Sequence, residues 1–128
     1  MKPENKELLL KDLCARLPYG IKAKANDITV VTINGIVKRQ SLTGHFDYDI
    51  ITDNGNFYLK EVKPYLRSMS SMTEEEKLEF SLVPIYAFVH YNEIAKMDWL
   101  NEHHFDYRGL IDRGLAIEVT EENNPYKN

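Results

Sequence analysis

Ile21-Lys22-Ala23-Lys24-Ala25-Asn26-Asp27-Ile28-Thr29-Val30-Val31-Thr32-Ile33-Asn34-Gly35 decides the fold class. Ile21, Ala23 and Ala25 alternate with Lys22 and Lys24, and Ile28, Val30 and Thr32 alternate with Thr29, Val31 and Ile33. A period of two marks half-buried antiparallel strands. Phe46, Tyr48 and Ile50 repeat the pattern against Asp47 and Asp49, and Phe57 to Val62 supplies one more strand before Pro64. Asn26-Asp27, Asn34-Gly35 and Asp53-Asn54-Gly55 carry residues that accept the positive φ of tight hairpins, so all three are expected to be turns. Four or five short strands joined this way imply a small antiparallel β meander or a partly open barrel.

Towards the N-terminus the period becomes helical. From about Glu4 to Leu17, the residues Leu9, Leu10, Leu13, Cys14 and Leu17 fall on one stripe, and Lys6, Glu7, Lys11, Asp12 and Arg16 take the other faces. Pro3 suits the first turn and Pro18 ends the helix. Leu10, Leu13, Cys14 and Leu17 are therefore expected to be buried against the sheet, with Cys14 a small hydrophobe rather than a nucleophile.

Towards the C-terminus a polar connector, Arg67 to Thr73, leads into Thr73-Glu74-Glu75-Glu76, a capping box that starts a helix. Pro84 to Tyr91 is apolar and rich in aromatic and β-branched residues, which fits a buried strand or an irregular packed segment, and a strand is expected. Asn92 to His103 spaces Ile94, Met97 and Leu100 as a helix does. Asp106 is expected to cap a last short helix, Tyr107 to Asp112, closed by Gly114, before a strand at Leu115, Ile117 and Val119. The fold class is thus α+β: an N-terminal helix packed on a small antiparallel β meander or partly open barrel, followed by short C-terminal helices. It forms a single domain over residues 1–120, β-rich at about 19–67 and helical at about 73–114, with a frayed tail at 121–128.

The chain has 128 residues, 43% of them hydrophobic and 28% charged, with a net charge of −4, as expected of one soluble domain. One cysteine excludes an internal disulfide and a cysteine-based zinc cluster. No apolar run approaches the ~20 residues of a membrane span, and the first residues lack the apolar core of a signal peptide, so a cytoplasmic location is expected. Charge is uneven: Met1 to Arg67 holds 11 Lys/Arg and 8 Asp/Glu, a net of +3, and Ser68 to Asn128 holds 5 and 12, a net of −7.

No Gly-rich phosphate loop, nucleophile elbow or paired-histidine zinc motif is present. His103-His104 with Asp106 is the nearest approach to a metal site, yet adjacent helical residues point about 100° apart. Asp47 and Asp49 share one strand face, as carboxylates holding magnesium do, but solvated strand carboxylates are the better explanation. No cofactor or metal is expected, and an enzyme is the least favoured reading. Two binding readings remain. Lys22, Lys24, Lys38, Arg39, Lys60, Lys63 and Arg67, with Tyr58 and Tyr65, would give a nucleic-acid-binding barrel its phosphate contacts and stacking planes. Trp99, His104, Tyr107 and Arg108 combine contact area with directed hydrogen bonds, so a surface for a protein partner is expected there. The competing account of that segment has Trp99 in the core, Asp106 capping backbone and Arg108 tied to a carboxylate.

Three segments carry a resemblance: LLLKDLCARLPYG (Leu8–Gly20), EVKPYLRSMSSMTEEE (Glu61–Glu76) and DWLNEHHFDYRGLI (Asp98–Ile111). They resemble a family of proteins encoded by gut anaerobic bacteria, their phages and mobile elements, in which a longer insert often separates the second segment from the third. The resemblance implies no catalytic or binding residue. It implies a setting, a phage or mobile-element accessory protein working inside the bacterial cell; the favoured reading of its function is a small binding or adaptor protein acting on a host or phage protein.

Overall fold

The computed structural model describes residues 1–86 and 92–127. Helix α1 (Pro3–Arg16) is followed by strands β1 (Lys22–Ala25), β2 (Thr29–Gln40), β3 (Phe46–Thr52) and β4 (Gly55–Tyr58). Then come β5 (Val62–Leu66), helices α2 (Glu74–Tyr86) and α3 (Asn92–Glu102), and β6 (Ile117–Glu118). The strands form one open sheet in the order β4-β3-β2-β1-β5-β6, antiparallel except for the β5–β6 pair. Chain length shows that the sheet curls. A flat sheet would separate β4 from β5 by four strand spacings, about 19 Å. Tyr58 and Val62 are joined through the short 3-10 turn Leu59–Glu61, and four residue steps reach at most ~14 Å.

The curl originates in β2. Its first half pairs with β1 and its second half with β3, and the register slips between Ile33 and Gly35. Asn34-Gly35, expected as a hairpin turn, is thus a β-bulge inside one long strand, which bends it and strengthens its twist. The hairpin turn lies further on, at Ser41–His45, where the Ser41 amide donates to the His45 carbonyl at 2.7 Å. Asn26 and Asp27 do form the expected tight turn, both with positive φ (52° and 60°).

Alternation places Ile21, Ala23, Ala25, Val31 and Ile33 in the core with Ile50, Leu59, Val62 and Leu66, and α1 closes it with Leu9 and Leu13. The helix sits rotated from its expected orientation: Leu10 and Leu17 are half-buried and Cys14 is exposed, so its expected burial does not hold. Asp12 and Arg16, expected in solvent, are both 0% exposed. The buried set Leu9, Asp12, Leu13 and Arg16 is still one helical stripe. Its polar half is buried because Arg16 grips Asp12 through two hydrogen bonds of 2.8 and 3.1 Å and donates a third, of 2.6 Å, to the Phe105 carbonyl.

The capping box forms as expected: the Glu76 amide donates to Thr73 Oγ1 at 3.1 Å and the Thr73 amide to Glu76 Oε1 at 3.0 Å. Pro84 to Tyr86, expected as strand, completes α2 instead, and the rest of that expected strand, 87–91, lies outside the described residues. A short apolar run fits helix and strand alike until packing chooses. The expected helix from Tyr107 to Asp112 is absent. Gly109, at φ 75°, takes the chain out of helical conformation, leaving one turn that Gly114 closes at φ 73°. The final strand is only Ile117–Glu118, beside β5. The tail packs rather than frays at Tyr126. Its hydroxyl accepts from the Lys22 amide at 3.1 Å and donates to the Tyr65 carbonyl at 2.7 Å, bridging β1 and β5 where their ladder ends. Among the described residues no helix is long and apolar enough to cross a membrane.

Candidate functional site

The three segments that carry the resemblance meet at Phe105, which is fully buried. Its carbonyl takes the Arg16 hydrogen bond, and its ring lies under the Arg67 guanidinium, 4.2 Å from centroid to carbon. Backbone bonds on either side tie it to β5: the Arg67 amide donates to the His104 carbonyl at 2.7 Å, and the Asp106 amide to the Arg67 carbonyl at 2.8 Å. Arg67 in turn forms a bidentate pair with Glu76, both contacts 2.6 Å. Those bonds hold the Glu76 carboxyl down at about 2, well below the usual carboxylate range.

The turn into Phe105 is a Schellman motif. The Phe105 amide donates to the Leu100 carbonyl at 3.0 Å and the His104 amide to the Asn101 carbonyl at 3.2 Å. Its left-handed position, where glycine is usual, is held by His104 at φ 65°. The imidazole stacks on the Tyr126 ring at 3.7 Å, and burial, followed by the positive charges of Arg16, His103 and Arg67, pushes its pKa down to about 4. Arg108 lies 3.4 Å from Asp12, and Tyr107 donates to Asn101 Oδ1 at 2.7 Å. Burial raises the Asp12 carboxyl above its ordinary value against the pull of Arg16. The Asp106 carboxylate accepts from the Leu110 and Ile111 amides, both at 2.9 Å, and His103 bonds the Trp99 carbonyl at 2.9 Å. His104, Tyr107 and Arg108 thus lie in a polar junction, each engaged with the protein itself.

Trp99 stands at the front of this junction. Its ring packs against Phe105 (5.7 Å), His103 (4.0 Å) and Phe80 (5.2 Å), and its indole N–H donates to Glu79 at 3.0 Å. Before it opens a groove of about 610 Å³ between α2 and α3, lined by Glu75, Leu78, Glu79, Leu82, Val83, Ala95 and Trp99. Leu78 is 62% exposed and Ile94 57%. Leu78, Leu82 and Val83 do not stand out in the sequence as site residues. Their signal was a helix with two apolar stripes: Phe80 and Val83 pack on the Trp99 cluster, while Leu78 and Leu82 face the groove.

The basic residues do not form one surface. Lys22, Lys24 and Lys63 share the outer face of β1 and β5. Arg39 pairs with Asp49 at 3.3 Å and lies 5.7 Å over the Tyr58 ring, and Lys38 lies 4.1 Å over Phe46. Lys60 borders a second cleft of about 570 Å³ with Lys6, Arg39, Asp47 and Tyr58, in which Lys6 lies 3.9 Å from Asp47. Arg67 is locked to Glu76, and Tyr65 is buried. Among the described residues no group of three or more His, Cys, Asp or Glu could hold a metal ion. Compared with known proteins, the chain matches no family model, no curated protein and no solved structure.

Proposed function

We propose that this protein is a binding module that captures a basic amphipathic helix of a partner protein in the groove between α2 and α3. The observation that carries this reading is the groove itself: apolar walls, a tryptophan floor and carboxylates at its edge, all outside the main core. An amphipathic helix lays its apolar face into such a groove. Trp99 is the kind of large, rigid side chain on which binding energy concentrates. Glu75 and Glu79 favour lysine or arginine beside the helix's apolar stripe and speed its approach. The junction at Phe105 supports the floor from behind, so His104, Tyr107 and Arg108 serve the partner by holding Trp99 in place. The resemblance adds the setting: an accessory protein of a phage or mobile element, acting in the cytoplasm on a host or phage protein.

Trp99 is the chain's single tryptophan, so its emission reports on the groove. Titration with a Leu/Lys amphipathic peptide of about 15–20 residues, some 25 Å of helix, is expected to shift that emission with a Kd on the order of 1–100 μM. The same peptide with its leucines scattered off one face is expected to leave it unchanged. An unchanged spectrum up to ~1 mM peptide, or equal binding by the Leu78→Asp protein, overturns the reading.

A further inference from the structure

The face of the sheet opposite α1 carries an arrangement of charge that the fold does not need. Lys22 and Lys24 alternate with the buried Ala23 and Ala25, so they point away from the core. Lys63 stands directly across from Lys24 in the β1–β5 register, on that same outer face. Side chains so opposed have Cβ atoms about 4.5–5.5 Å apart, and like charges there destabilise the pair. Lys22 has a partner, the Thr32 hydroxyl at 2.7 Å. Among the described residues, neither Lys24 nor Lys63 has an ion-pair partner. By contrast, Arg39 is paired with Asp49 and Arg67 with Glu76.

Apolar groups lie among these lysines. Val30 is the register partner of Lys24 on the other side and is 50% exposed, and Ile28, at the adjoining turn, is 82% exposed. We propose that this face binds single-stranded nucleic acid, with the ammonium groups of Lys22, Lys24 and Lys63 on its phosphates and Val30 and Ile28 against its bases. A phosphate between Lys24 and Lys63 removes the repulsion that the free protein carries. The apolar pair selects single strands, because a duplex keeps its base faces stacked and offers these side chains nothing. The lysines meet phosphates and the apolar pair meets base faces, neither of which distinguishes one sequence from another, so binding tolerates any sequence.

The test is fluorescence anisotropy of the full chain with labelled oligo(dT) and oligo(U) across a salt series, beside a duplex and a polyglutamate peptide. Three phosphate contacts give a slope of about −2 in log K against log salt for a single strand. Lys63→Glu is expected to weaken binding at least tenfold and flatten the slope. It also replaces a repulsive cross-strand pair by an attractive one, so the melting temperature of the free protein rises by roughly 1–5 °C. Lys63→Gln is expected to fall between the two in both measurements, and Leu78→Asp to change neither. Absence of binding at 50 mM salt, unaltered binding by Lys63→Glu, tighter binding of the duplex, or capture of polyglutamate in place of the oligonucleotides each overturns the proposal.

Discussion

The α1 layer and the α2–α3 pair are both helical layers with apolar side chains to bury, and they are finished differently. Under α1 every position of the inward stripe is closed, including Asp12 and Arg16, whose charges find each other, the Phe105 carbonyl and Arg108. Behind α2 and α3, Trp99, Leu100 and Phe105 form a small core against which Phe80 packs, while Leu78 and much of the groove stay open. A closed layer gains nothing from a partner. The open one holds unburied apolar surface in reserve, as an interaction site does.

The largest effect expected from this contrast is at the buried ion pair. Arg16→Ala leaves the Asp12 carboxylate buried without its main partner and should cost about 3–5 kcal/mol in chemical denaturation. Leu13→Ala, in the same stripe, should cost about 2–5 kcal/mol. An Arg16 effect below ~1 kcal/mol would mean that water reaches the junction and that the α1 layer is not closed.

Acid should open the same region in two stages. His104 has a folded value near 4 against an ordinary 6.5, so the unfolded chain takes up a proton that the folded one refuses. Stability is complete above pH 6.5 and drains as the pH falls towards 4, by on the order of 1–3 kcal/mol after discounting for partial exposure. Glu76, held near 2 by Arg67, adds its own loss as the pH falls from 4.5 through 2. Melting curves of wild type and His104→Gln should converge between pH 6.5 and 4; parallel curves would remove His104 from the account.

The smallest effect is expected at the groove. Leu78→Asp should change stability by less than ~0.5 kcal/mol while abolishing peptide capture. A loss above ~1 kcal/mol would make Leu78 a core residue and erase the contrast.

Much of the sheet was legible because its signals are local. Ile21, Ala23 and Ala25 against Lys22 and Lys24, the Asn26-Asp27 turn and the Thr73 capping box each depend on residues within a few positions of one another. Asn34-Gly35 misleads for the same reason: the pair that favours a hairpin turn also tolerates a bulge, and only β1 and β3 pairing with the two halves of β2 distinguishes them. The candidate groove was less legible. Trp99 stood out by residue type, but Leu78 and Leu82 acquire meaning only when α3 lies beside α2.

The sequence by itself determined the α+β class, where most elements begin and which residues of β1 face inward, since period and turn chemistry act through neighbours in the chain. Tertiary structure decided the rotation of α1, the burial of Asp12 and Arg16 and the anchoring of Tyr126. A charged side chain enters a core only when its partners are in place, and for Arg16 one of these is a carbonyl 89 residues away. For Tyr126 the partner lies 104 residues away, at the Lys22 amide. No local pattern encodes such distances, because the free energy that orders these groups exists only once the chain has closed around them.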